Sequence, residues 1–228
     1  MNFLALFTIS DLHLSFSSDK PMDIFKGWDN YVDRIKANWL RVVSKDDTVV
    51  LPGDFSWALK LEDTLADFMF LNELPGQKII LKGNHDLWWC TVSKMNAFFE
   101  QNKIDTVRIL HNNHFEVENL ALCGTRGWMF EGTVEQKVLL REAGRLEASL
   151  ASAKQSSLQP IVFMHYPPAY DKHVCNEFFD IFEKYGVKDV YYGHMHGRGI
   201  HPITSVVRGV NMRLVSCDCI DFNPYRIV

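Results

Sequence analysis

Three short apolar runs, Phe3 to Ile9, Thr48 to Leu51 and Lys78 to Leu81, alternate with stretches whose apolar residues recur at helical spacing. No other feature constrains the fold as much, because strand, helix, strand, helix, strand pairs in parallel through crossover helices, the mark of an α/β chain. The first helical stretch carries Trp28, Tyr31, Val32, Ile35, Trp39 and Val42 after Asp29, which reads as its N-cap. The second, with Leu65, Phe68, Met69 and Asn72, must stop near Pro75-Gly76. Pro52-Gly53 and Gly83 close the second and third runs.

Further on, Phe115 to Leu122 alternates around Glu118-Asn119 and Val206 to Val215 alternates around Gly209, the pattern of two hairpins. Between them lies a long helix carrying Val138, Leu139, Leu146 and Leu150, opened by a Thr133-x-x-Gln136 capping box. A shorter helix from Glu177 to Tyr185 is stopped by Gly186, and Ile161 to Met164 and Asp189 to Tyr192 read as further strands. Ala151 to Gln159 reads as a loop or frayed helix end. A chain of 228 residues, 47% hydrophobic, buries one sizeable core, so a single domain over residues 1–228 is expected.

The polar residues fall where these strands end. Asp11 and His13 follow the first run, Gly53-Asp54 the second and Gly83-Asn84-His85-Asp86 the third; His165 and Gly193-His194-x-His196 follow the later strands. The C-terminal edge of an α/β sheet is where ligand sites form. Asp11/His13 and His194/His196, each spaced i to i+2, would present two ligands to one face of an extended segment. The glycines before Asp54, Asn84 and His194 would let the backbone turn sharply there. The donors are oxygen and nitrogen with no thiol, which suits divalent Mn, Fe, Zn, Ni or Co. His111, His114, His173 and His201 lack such company and read as surface or loop residues. Of Trp57, Trp88 and Trp89, two are expected in the core.

Composition excludes several function classes. Lys and Arg number 24 against 28 Asp and Glu, a formal net charge of −4, so no basic footprint for extended nucleic-acid binding is expected. No apolar run approaches the ~20 residues that span a bilayer, and Met1 to Ile9 lacks the basic flank of an export signal. No membrane association is expected. The five scattered cysteines, Cys90, Cys123, Cys175, Cys217 and Cys219, argue against a disulfide framework and for a cytoplasmic location. Cys217-x-Cys219 reads as two buried thiols on a strand rather than a zinc site.

The ordered set Asp11-x-His13, Gly53-Asp54, Gly83-Asn84-His85-Asp86, His165 and Gly193-His194-x-His196 resembles the calcineurin-like metallophosphoesterase superfamily. The resemblance implies a four-layer α-β-β-α sandwich, two mixed β-sheets flanked by helices. It implies one divalent ion held by Asp11, His13, Asp54 and His196, and a second held by Asp54, Asn84, His165 and His194, with Asp54 bridging. Mn is the first expectation, with Fe, Zn or Ni as alternatives. A water shared by the two ions would attack a phosphodiester or phosphomonoester in line. His85 would assist the leaving group as a catalytic residue, with Asp86 orienting it or its loop. Asn84 and Arg126, the latter in Gly124-Thr-Arg-Gly-Trp128, are the expected substrate-binding residues, ahead of Arg198.

Phe-Ser-Trp-Ala follows Gly53-Asp54, where the Ser/Thr phosphatases and diadenosine tetraphosphate hydrolases carry an Asp-Arg pair. The purple acid phosphatases place a tyrosine ligand after that block, and Trp57 offers none; the lipid A pathway hydrolases replace the His85 equivalent with arginine. A small stand-alone phosphohydrolase acting on a small phosphoester, with the diester favoured, is expected. A nucleotide pyrophosphohydrolase with the same site and a non-catalytic metal-binding scaffold are the alternatives, and retention of His85 argues against the scaffold.

Overall fold

The computed structural model describes residues 4–128, 136–154 and 156–228. The first run becomes β1 (Leu6–Thr8), followed by α1 (Tyr31–Val42), β2 (Thr48–Pro52), α2 (Leu65–Glu73) and β3 (Gln77–Leu81). Then come α3 (Val92–Gln101), β4 (Val107–Ile109), β5 (Phe115–Val117), β6 (Leu120–Thr125), α4 (Gln136–Ser152) and β7 (Gln159–Met164). The last part holds β8 (Ala169–Tyr170), β9 (His173–Val174), α5 (Asn176–Tyr185), β10 (Asp189–Tyr192), β11 (Thr204–Val207), β12 (Val210–Leu214) and β13 (Tyr225–Arg226).

One sheet runs β13-β1-β2-β3-β4 and is parallel except for β13; the other runs β11-β12-β10-β7-β6-β5 and is parallel between β12 and β6. Both are mixed, and the antiparallel edges are the two expected hairpins together with the short β13. Alternation along the strands sorts the core into layers. Phe7, Val49, Leu51 and Ile80 face Ile35, Trp39, Phe68 and Phe99 on the helices. Leu6, Val50, Ile79 and Leu81 face Leu122, Ile161, Phe163 and Tyr191 of the opposite sheet. Ala121, Cys123, Val162 and Val190 face Leu139, Leu146, Phe178 and Phe182 on α4 and α5. The result is the four-layer α-β-β-α sandwich.

Several expectations shift in detail. The residue preceding α1 is Asn30, at φ 51°, rather than Asp29, and no side chain caps that end. Gly186 stops α5 as expected: it takes φ 70° and lets the Val187 N–H reach the Phe182 carbonyl. Cys217 and Cys219 lie on a 3-10 turn (Cys217–Ile220), not a strand. Their thiols donate to the Asp11 and Met195 carbonyls, and burial pushes both pKa values up, so they are inert thiols. The Thr133 capping box and the Phe3 end of the first run lie outside the described residues. No helix among the described residues is long and apolar enough to cross a membrane.

Candidate metal centre

The strand ends meet across the gap between the sheets. Ser10 forms a parallel bridge with Ser216, and a Cβ on Gly193 would run into Ser10 and Asp11, so the end of β10 lies against the end of β1. A Cβ on Gly53 would lie 2.8 Å from His165 Nδ1, which sets β2 against β7. Two mixed sheets packed with the C-terminal ends of their parallel strands aligned thus bring five clusters, distant in sequence, to one place.

The backbone there is strained at the donors themselves. Asp11, His13, Asp54 and His194 take φ of 60°, 47°, 50° and 69°, a region that L-residues rarely adopt. Of the three glycines expected to turn the chain, only Gly53 has positive φ. Gly83 and Gly193 serve close approach instead, since a Cβ would collide with Asp54 and Asp11 respectively. The expected i to i+2 pairing holds for Asp11 and His13, which share a group, and fails for the second pair. His194 and His196 diverge into different groups because His194 breaks the extended path.

Asp11, His13 and His196 form one group and Asp54, His165 and His194 a second, the donor atoms in each lying within 4.8 Å of one another. Asp54 lies between them: Oδ2 is 3.9 Å from His13 Nε2 and 3.4 Å from His165 Nε2, while Oδ1 accepts the His85 N–H at 2.7 Å. Asn84 Oδ1 joins the second group, 2.6 Å from His165 Nε2 and 2.9 Å from His194 Nδ1. In the first group His196 Nε2 is 3.3 Å from His13 Nε2 and 3.6 Å from Asp11 Oδ1.

These groups fit divalent cations. Burial drives the His165 pKa down to about 3, so the ring is neutral and has one N–H. With Nδ1–H donating to the Pro52 carbonyl at 3.0 Å, the Nε2 lone pair points at the Asn84 oxygen. Burial, followed by the charges of His196 and His85, takes His194 down to about 4. Burial and the charges of Asp11 and Asp86 push Asp54 up to about 9, so its ionised form requires nearby positive charge. Buried lone pairs and a carboxylate facing one another are the environment a cation satisfies.

The neighbours of these donors include one the sequence did not point out. Asp218 accepts from His196 Nδ1 at 2.9 Å and from the Gly197 N–H at 2.8 Å, fixing the ring so that Nε2 faces the first group. Burial works against ionisation of Asp218, but the His196 hydrogen bond and charge outweigh it and hold its pKa below the usual range. An acidic residue between two cysteines gave no local signal of this role. The Ser216 hydroxyl similarly donates to Asp11 Oδ2 at 2.9 Å.

His85 sits half-buried, its ring 4.4 Å from Trp57 and 5.7 Å from His13, with its pKa lowered chiefly by burial. Asp86 does not touch that ring. Its carboxylate accepts from the backbone N–H groups of Asp54, Phe55, Ser56 and Gly83 and from Trp88 Nε1. It therefore positions the loop, the second of the two roles expected for it, and is not a group in contact with the reacting atoms. Arg126 holds the site by its backbone: its carbonyl accepts from the N–H groups of His165 and Tyr166, while its guanidinium turns to Glu142 at 3.4 Å. Arg198 is exposed and paired with Asp221 at 2.7 Å. Trp88 is buried, Trp89 packs on the same core, and Trp57 stacks on His13 at 4.7 Å. With Trp28, Phe222, His85 and His196, Trp57 lines a cavity of about 650 Å³ beside the first group.

The sequence profile of the calcineurin-like phosphoesterases matches residues 6–198. No functionally curated protein matches the chain by sequence. Among solved structures, a Thermus thermophilus protein, TT1561, superposes with a TM-score of 0.61 at 13% identity, covering 99% of this chain and 98% of that one. The phosphopantetheinyl hydrolase of Mycobacterium tuberculosis gives 0.56 at 15% identity, covering 94% and 89%. A purple acid phosphatase from yellow lupin gives 0.51 at 14% identity over 93% of this chain and 43% of that one. At such identities the likeness is one of fold.

Proposed function

This chain belongs to the calcineurin-like phosphoesterase family, and from that membership we propose that it is a dinuclear metal-dependent phosphohydrolase that prefers a small phosphodiester to a monoester. The family and the two His/Asp groups support a metal-dependent phosphoesterase. The dinuclear reading rests above all on Asp54, whose carboxylate lies between the two groups and is positioned to bridge them. Asp11, His13, His196 and Asp54 would hold one ion, and Asp54, Asn84, His165 and His194 the other. Mn is the first expectation, with Fe, Zn or Ni compatible with the same donors. Bound there, two divalent cations supply charge stabilisation for the phosphoryl oxygens and an activated water near neutral pH.

The chain's own residues do the rest. His85, beside the first group and tied to it through its N–H on Asp54, donates a proton to the departing oxygen. Asp218 and the Pro52 carbonyl hold His196 and His165 in the tautomers that leave Nε2 free for the ions. Asp86 keeps the Asp54 and Asn84 loops together. The aromatic cavity next to His85 takes the leaving group and excludes water from it. The five unpaired thiols support residence in a reducing compartment, the cytoplasm.

Metal-stripped protein reloaded with Mn should cleave bis-p-nitrophenyl phosphate faster than p-nitrophenyl phosphate. Preference for the monoester would overturn the diesterase reading. Binding of both ions without turnover of either ester, with any of the four metals, would overturn the enzymatic one.

A further inference from the structure

Charge is not spread evenly along the edge that carries the metal centre. Following strand order across the first sheet, the residues at the strand ends are Asp11 and His13 after β1, Asp54 after β2, Lys82 and Asn84 after β3, and His111 after β4. Across the second sheet they are Asp218 after β12, His194 and His196 after β10, His165 after β7 and Arg126 after β6. The two series run side by side, since a Cβ on Gly124 of β6 would touch Leu81 and Leu110 at the ends of β3 and β4. The metal groups thus occupy the middle of the edge, and Lys82, His111 and Arg126 sit at neighbouring strand ends beyond the second group.

This cationic end is under-neutralised. Of the two buried carboxylates that act there, Glu142 on α4 is shared by Arg145 at 2.7 Å and Arg126 at 3.4 Å and also accepts from Thr125 at 2.8 Å, while Asp86 is taken up by backbone N–H groups. Among the described residues Lys82 has no hydrogen-bond or ion-pair partner. Arg126 Nε is buried with none either. Lys82 follows Leu81 and Arg126 lies two residues after Gly124, and these two strand ends touch, so the two cations sit at neighbouring strand ends. An unpaired, partly buried cation such as Lys82 is costly unless something negative joins it. Lys82 is two residues from Asn84, no more than roughly 7 Å along the backbone, so an anion there would lie next to a phosphoryl group at the metal centre.

We propose that Lys82, His111 and Arg126 form a subsite for a second phosphate, so that the substrate is an organic phosphoester carrying a further phosphate group. The second phosphate is oriented away from Asp218, Asp221 and the aromatic cavity, and leaves the reacting ester over the metal groups with its leaving group towards His85. Lys82 and Arg126 Nε donate to its oxygens, and the flat guanidinium, held by Glu142, sets the direction of approach. The inference rests on the phosphoesterase reading and narrows its substrate class.

Binding reads the subsite without turnover. Calorimetric titration of the Mn-loaded protein with thymidine 5′-phosphate and thymidine 3′,5′-bisphosphate should show the bisphosphate binding about tenfold more tightly or better, as charge-assisted hydrogen bonds of this kind provide. Lys82→Met removes a side chain that has no partner, so folding is spared, and should reduce that advantage to about threefold or less. Because the readout is a ratio, any loss common to both ligands cancels. Equal affinities in the wild-type protein, or an advantage that survives Lys82→Met, would overturn the subsite. Absence of turnover on simple esters would overturn the enzymatic reading and leave this ratio unaffected.

Discussion

At the scale of single residues, the proposed function divides the site into groups that would hold the metals and groups that would act beside them. His85 contacts the centre through its backbone N–H on Asp54, and its ring faces the cavity. His85→Ala should keep both ions bound and lower kcat about 10²-fold or more, the usual size of a lost general acid, read by metal analysis alongside turnover. Asp218 should behave in the opposite way. Asp218→Asn weakens the acceptor for His196 Nδ1–H, and affinity for the first ion should fall roughly 10–100-fold in a competition titration with a metallochromic chelator. An affinity that did not change would mean that the ring is held by packing on Trp28 and His13 alone. The Asp, His and Asn donors were legible as residues because each follows a strand-like run. Asp218 and Ser216 were not, since their partners lie 22 and 205 positions away and only folding brings them together.

At the scale of elements, short buried strands end in loops that are held by side chains rather than by further ladder pairing. Asp86 carries four backbone N–H groups from the two loops that follow β2 and β3. Asp86→Ala leaves those buried donors unpaired at about 1–3 kcal/mol each, so urea denaturation should show a loss of at least about 3 kcal/mol. A loss below about 1 kcal/mol would mean water replaces the carboxylate. Strands β2, β3, β7 and β10 were readable because an unbroken apolar run bounded by Gly, Pro or His has few other uses. The helix α3 went unread even though Thr91 caps it by accepting the Lys94 N–H, because its buried residues are only Met95 and Phe99, too few to show a period. Strands of two or three residues, such as β4, β8, β9 and β13, carry no alternation to read, and their pairing partners decide them.

For the whole molecule, stability and metal uptake are linked through the same buried donors. In metal-free protein Asp54 has its pKa raised to about 9, so its contribution is fully present below the ordinary carboxylate range and is lost as pH rises towards that value. His165 and His194, lowered to about 3 and 4 by burial, act in the other sense: their contribution is complete above the ordinary imidazole value of 6.5 and is lost as pH falls. The metal-free protein should therefore be most stable near pH 6.5 and weaken towards pH 9, whereas the metal-loaded protein, with Asp54 ionised against the ions, should not weaken over that range. Thermal denaturation across that pH series, with and without Mn, checks this, and a metal-free curve flat above neutrality would refute it. Loading at pH 7 should also release protons, seen as a buffer-dependent calorimetric heat. The order of strands and helices, and the identity of nearly every polar group at the centre, were set by local pattern, because runs of apolar residues and turn residues act over a few positions. The distances among the donors, the left-handed backbone at His194, the partners that orient the rings, and the cationic end beside the centre came only from the packing of two sheets edge over edge. Contacts between residues 11, 54, 165, 196 and 218 exist only once every intervening segment has been buried, and no local interaction encodes them.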